Sequence, residues 1–147
     1  MNSQTGSAGG VPPDSPQSAR TTPIARNGGV IRASTIKETP DEGRPLMLKR
    51  VINIDHHTAD LSVTWVRIWG HHDRMLNELS DRAYYIIEGE GRFQVGDGAP
   101  IETVRAGDFV YIPRTVPYEF DGQMRYLVIN GPAYRPASDK VLTPVMK

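Results

Sequence analysis

The sequence predicts an all-β fold, one antiparallel barrel or sandwich behind a disordered N-terminal tail, and three observations carry the prediction. After Pro45 the apolar residues fall in short runs rich in Val, Ile, Tyr and Phe, broken by Gly, Asp and Pro, and no stretch keeps a helical period. Every aromatic residue lies between Trp65 and Tyr134, so the packed core belongs to that part of the chain. At 147 residues the chain can bury one ordinary core, whereas two would each be too small.

Residues 1–44 are the expected tail. The opening stretch MNSQTGSAGGVPPDSPQSARTTPIARNGG offers too little apolar area to offset the entropy of ordering. Residues 45–133 are the expected barrel domain, with strands read in LMLKRVINI, DLSVTWVRIW, RAYYIIEG, GRFQV, IETVR, DFVYIP, VPYEF and MRYLVIN. EGEG at 88–91 is expected to be a tight hairpin and VGDGAP at 95–100 the next turn, because Gly tolerates positive φ. A phosphate-binding loop is not expected, since no strand-to-helix transition follows these glycines. Residues 134–147 carry no strand pattern and are expected to lie along the barrel with Tyr134 as anchor, partly covering the pocket mouth.

Seventeen Lys and Arg balance seventeen Asp and Glu, so nothing steers the chain to nucleic acid or to an anionic membrane. The absence of cysteine removes disulfides, thiolate metal sites and cysteine nucleophiles. No apolar run has the length of a signal or transmembrane segment, and a cytoplasmic location is expected. The expected partner is a small organic molecule, with no cofactor.

YYIIEGEGRFQVGDG followed by VRAGDFVYIPRTVPYEF resembles the paired motifs of a small single-domain cupin, which implies a jelly-roll barrel. Gly70, Leu76, Glu78, Arg82 and Gly89 fall at the spacing of the first cupin motif. Gly107, Pro113, Thr115, Tyr118 and Gly122 fall at the spacing of the second. The resemblance places Leu76, Glu78, Arg82 and Tyr118 where the family holds three histidines and a glutamate. One carboxylate beside a permanent cation does not make a divalent site, so no metal is expected. Glu78 and Arg82 are instead expected to pair beneath Tyr118.

His56, His57, His71 and His72 form two adjacent pairs. Neighbours on a strand point to opposite faces, and both pairs lie beside aspartates in sequence that reads as loop, so no metal role is expected of them. With Arg82 inward, Tyr84 and Ile86 share its face. In LSVTWVRIW the inward set is either Trp65, Arg67 and Trp69 or Thr64, Val66 and Ile68; the first is expected, with an outer-sheet or dimer-contact role as its alternative. Tyr118 and Phe120 share a face, and Tyr111 or Tyr126 could join the lining.

The function expected from these residues is metal-independent acid–base chemistry on a small molecule, as an isomerase, epimerase, cyclase or lyase. Glu78 is the expected base, Tyr118 the acid and Arg82 the anion holder. Leu76, Tyr84, Trp65, Arg67, Trp69 and Phe120 are the expected ligand contacts. The alternatives are a non-catalytic binding or sensor barrel and a dimeric scaffold. A homodimer is expected, with LMLKRVINI available for pairing across subunits.

Overall fold

The computed structural model describes residues 28–146, and the disorder expected of residues 1–27 lies outside them. Eight strands follow one turn of 3-10 helix at Ala33–Thr35: β1 (Thr39–Pro40), β2 (Leu46–Ile52), β3 (Ser62–Asn77), β4 (Asp81–Val95), β5 (Glu102–Arg105), β6 (Phe109–Ile112), β7 (Tyr118–Gly131) and β8 (Asp139–Val141). β7 lies between β3 and β4 and pairs antiparallel with both along its length. In one half of the fold β1 and β2 extend the ladder beyond β3, and β6 extends it beyond β4. In the other half β8 flanks β3 and β5 flanks β4.

The two halves face each other across one apolar core. Val66, Ile68, Tyr84 and Tyr126 come from the first half, and Phe93, Tyr118 and Phe120 from the second. Along the ladder path from β1 to β5 the sheet does not close on itself, so the architecture is a jelly-roll sandwich rather than a sealed barrel. Gly70, Gly122 and Gly91 stand in one row across β3, β7 and β4 where the halves meet. A Cβ on Gly122 would lie 2.7 Å from the Glu90 carbonyl oxygen and 2.7 Å from Gly91 Cα, so only glycine lets the strands approach so closely.

Three expectations change. EGEG is no hairpin: β4 runs unbroken from Asp81 to Val95 with a bulge between Ile86 and Glu88, and Gly89 and Gly91 pair in the ladder opposite Met124 and Gly122. The folded region begins before Pro45, since Thr39 and Pro40 pair with Leu48 and Met47, and Glu38 accepts hydrogen bonds from Arg67 at 3.0 and 3.1 Å. β1 thereby covers part of the β2 edge that was expected to pair across subunits. The C-terminal segment forms a strand after all, with Asp139, Lys140 and Val141 opposite Asn77, Leu76 and Met75. Its continuation is held by Glu119, which accepts from the backbone N–H of Val145 at 2.8 Å and of Met146 at 3.0 Å. Among the described residues no helix is long and apolar enough to cross a membrane.

Candidate functional site

Even-numbered residues of β3 face the interior as far as His72, then a register shift between His72 and Met75 reverses the parity. Met75 and Asn77 consequently point inward, 4 % and 3 % exposed. Leu76 and Glu78, which unbroken alternation would place inside, do not. Glu78 lies toward solvent and pairs with Lys140 at 3.3 Å, and Leu76 sits in the ladder opposite Lys140. The expected Glu78–Arg82 pair is therefore absent. With the parity reversed, Met75, Asn77, Arg82 and Tyr118 form the inward quartet.

Arg82, 5 % exposed, is held from three sides. Its Nε donates to Asn130 Oδ1 at 2.7 Å, Nη1 to Tyr118 Oη at 2.6 Å and Nη2 to Asp139 Oδ1 at 3.2 Å. Tyr118 and Tyr84 share a hydrogen bond of 2.9 Å between their hydroxyls. Burial opposes the charge on Arg82, but the oxygens of Tyr118, Tyr84 and Asp139 outweigh it and the group stays cationic. Burial pushes the Tyr84, Tyr118 and Tyr126 hydroxyls above the ordinary phenol range, so all three are proton donors at neutral pH.

His72 occupies the same interior, its ring stacked at 4.3 Å on Phe120, which stacks in turn at 4.3 Å on Phe93. Nδ1 lies 2.8 Å from the Asp73 carbonyl oxygen, which can only accept, so Nδ1 carries the proton and Nε2 keeps its lone pair. Burial, aided by the charge of Arg82, brings the ring down to about 4, and it is neutral at pH 7.

A cavity of about 300 Å3 opens onto this cluster. Arg82, Tyr84, His72, Tyr126 and Asn130 supply its polar wall, and Leu48, Val66 and Val128 part of its apolar wall. Asp41, Arg44, Arg50, Tyr134 and Asp139 also line it. Tyr118 is fully buried behind Arg82 and Tyr84 and acts on the cavity through them. Phe120 is likewise fully buried, a core ring that positions His72. The expectation that Trp65, Arg67 and Trp69 line the cavity is corrected: Val66 and Ile68 are buried, Thr64 and Val66 reach the cavity, and the tryptophan side lies on the outer face. There Lys49 and Arg125 sit over Trp65 at 5.2 and 5.8 Å, and Arg67 over Trp69 at 5.2 Å. Tyr126 lines the cavity, while Tyr111 stands 65 % exposed outside.

The histidines divide. His56 and His57 lie in the loop after β2, where His57 Nδ1 accepts from the Asn53 N–H at 3.1 Å. His71 and His72, expected in a loop, sit within β3 and point opposite ways. His71 Nε2 meets Glu119 Oε2 at 2.5 Å on the outside, while His72 joins the cavity. Parity counted back from Arg82 could not have found His72, because the bulge intervenes; its link to the site is tertiary.

The fold family implies a metal at the inward quartet, and the residues present do not fit one. Met75 offers a thioether, Asn77 an amide already donating to Ser138 and Asp139 at 2.9 Å, and Tyr118 a neutral phenol. The fourth position holds the buried Arg82 guanidinium, which would repel a divalent cation. Among the described residues no three His, Cys, Asp or Glu side chains cluster at metal-binding range.

The fold and site define a jelly-roll sandwich with a polar cluster at the base of an open cavity. The cupin-domain family model matches residues 72–130. No curated protein matches it. Among solved structures, a nucleoside dehydratase from Streptomyces is 16 % identical with a TM-score of 0.66, over 78 % of this chain and 90 % of that one. The polyketide cyclase RemF from Streptomyces resistomycificus is 18 % identical with a TM-score of 0.67, over 80 % and 87 % of the two chains. KdgF from a Halomonas species is 15 % identical with a TM-score of 0.63, over 74 % and 96 %. At these identities the likeness is one of fold.

Proposed function

We propose that this chain is a metal-independent acid–base enzyme acting on a small organic molecule, of the lyase, cyclase or isomerase type. The observation that carries the reading is the meeting in one cavity wall of a buried cationic Arg82, a Tyr84 hydroxyl backed by that of Tyr118, and a neutral His72. His72 Nε2 takes a proton from carbon beside a carbonyl. The oxyanion that develops is held by Arg82 and by the Tyr84 hydroxyl, with Tyr118 supporting both. This moves the base from Glu78 to His72 and the acid from Tyr118 to Tyr84.

The neighbours support small-molecule chemistry, since they include a nucleoside dehydratase and a polyketide cyclase. That dehydratase has been solved with uridine in variants replacing a tyrosine or a histidine, the residue types gathered here. A cytoplasmic homodimer belongs to the same reading, with the outer face as the contact rather than the β2 edge. Phe109 and Tyr111 are 71 % and 65 % exposed there, and the exposed Glu88–Arg125 pair supplies both charges to a self-complementary surface.

The test is turnover of a panel of nucleosides, uronic acids and linear polyketide analogues by EDTA-treated protein, followed by NMR. At least one compound is expected to be converted, and Tyr84→Phe or His72→Gln to lower kcat by about 100-fold or more. If neither substitution changes turnover, the acid–base reading is wrong. A second reading, ligand binding without catalysis, is favoured by one observation: all three Arg82 nitrogens already have protein partners. Ligand-induced thermal shifts without turnover would establish it.

A further inference from the structure

The charged residues lining the cavity are unevenly partnered. Three arginines line it, Arg44, Arg50 and Arg82, against two aspartates, Asp41 and Asp139. Both aspartates are engaged: Asp139 meets Arg82 at 3.2 Å and Asp41 meets Arg44 at 3.2 Å, while the Arg44 Nε also donates to Asp73 at 2.8 Å. Among the described residues Arg50 is the cavity-lining arginine with no carboxylate at ion-pair distance. It sits at an exposed position of β2, opposite Thr64, with its guanidinium carbon 5.5 Å over the Tyr134 ring. A guanidinium laid on an aromatic face keeps its edge N–H groups available and loses little freedom when a planar oxyanion docks against that edge.

We propose that Arg50, backed by Tyr134, anchors a carboxylate, and that the cavity takes small organic monoanions whose reacting end reaches His72 and Tyr84. The proposal rests on the acid–base reading of the same cavity and adds the substrate class. Three observations converge on it. A single guanidinium, Arg50, is left without a carboxylate partner, which matches a carboxylate better than a phosphate monoester carrying about 1.5 to 2 negative charges at pH 7. A volume of about 300 Å3 stands at the small end of ligand cavities. The apolar part of the lining includes Leu48, Val66 and Val128, which suit an apolar or aromatic body rather than a polyhydroxylated one. The carboxylate is thus held at the rim, and the carbon skeleton extends to the residues that move the proton.

The experiment is calorimetric titration with benzoate, phenylacetate and 4-hydroxybenzoate, each against its amide, and with phenyl phosphate. Wild-type protein is expected to bind the acids about ten-fold or more tightly than the amides. In Arg50→Gln that ratio is expected to fall to near one, and in Arg105→Gln, an exposed arginine outside the cavity, to persist. Because Arg50 is exposed, its variant folds, which circular dichroism checks. Equal binding of acids and amides, an unchanged ratio in Arg50→Gln, tighter binding of phenyl phosphate, or no binding of any probe each overturns the proposal. Tyr84→Phe separates the two readings: it is expected to keep the acid-to-amide ratio. A retained ratio with unimpaired turnover in that variant defeats the acid–base reading and leaves the carboxylate anchor standing.

Discussion

His72 is neutral because burial makes its charged form costly, and that has a consequence for stability. In the unfolded chain the ring titrates near its ordinary value, about 6.5, and in the fold at about 4. Between those values the unfolded state binds more protons. The contribution is therefore fully present above pH 6.5 and is lost as the pH falls toward 4, by about 3 kcal/mol in all. Urea titrations at pH 7, 5 and 4 are expected to show this loss, and His72→Gln to show a smaller one; parallel curves would mean that His72 does not titrate in this way. The kcat/KM profile should hold its acid limb until about pH 4, where His72 takes up the proton that stops it acting as a base. Arg82→Met is expected to destabilise by about 2–4 kcal/mol, because Asn130, Tyr118 and Asp139 lose a charged donor together. A midpoint shift at unchanged m-value checks it.

At the scale of elements, the glycine row decides whether the two halves can meet. Gly122→Ala would force its methyl against the backbone of Glu90 and Gly91, which a flexible side chain cannot relieve. It is expected to cost about 1–3 kcal/mol, read from thermal unfolding, whereas an alanine tolerated without loss would show that the strands separate there easily. The C-terminal strap depends on Glu119, whose carboxyl is pulled down despite burial by the Val145 and Met146 N–H groups and by His71. Its stabilisation is present above the ordinary carboxylate range and is lost as the pH falls through the lower folded value. Glu119→Gln is expected to speed proteolysis after β8 while β3 and β7 stay protected; hydrogen exchange resolves the two regions.

For the whole molecule, the homodimer reading predicts twice the chain mass by light scattering, and a halved mass for Phe109→Glu with Tyr111→Ser, since both rings stand on the outer face. A monomeric wild type would remove it. The composition of the chain, its short β-rich runs and the inward set Arg82, Tyr84 and Ile86 were legible because alternation along a strand is local. The strand class, the approximate strand positions and the cupin likeness needed nothing more. Which residues of β3 face the cavity was not legible, because one bulge between His72 and Met75 reverses every later side chain and leaves no mark in composition. The same holds for the tryptophan face of β3, where parity allows both choices and only packing against β7 and β2 selects one. Sequence by itself determined a cupin-like motif spacing with a cation and a phenol where that family's metal ligands usually stand. Only the tertiary structure placed His72 and Arg50 on one cavity with that cation, since strand register and the return of the C-terminal segment are set by contacts between residues far apart in the chain.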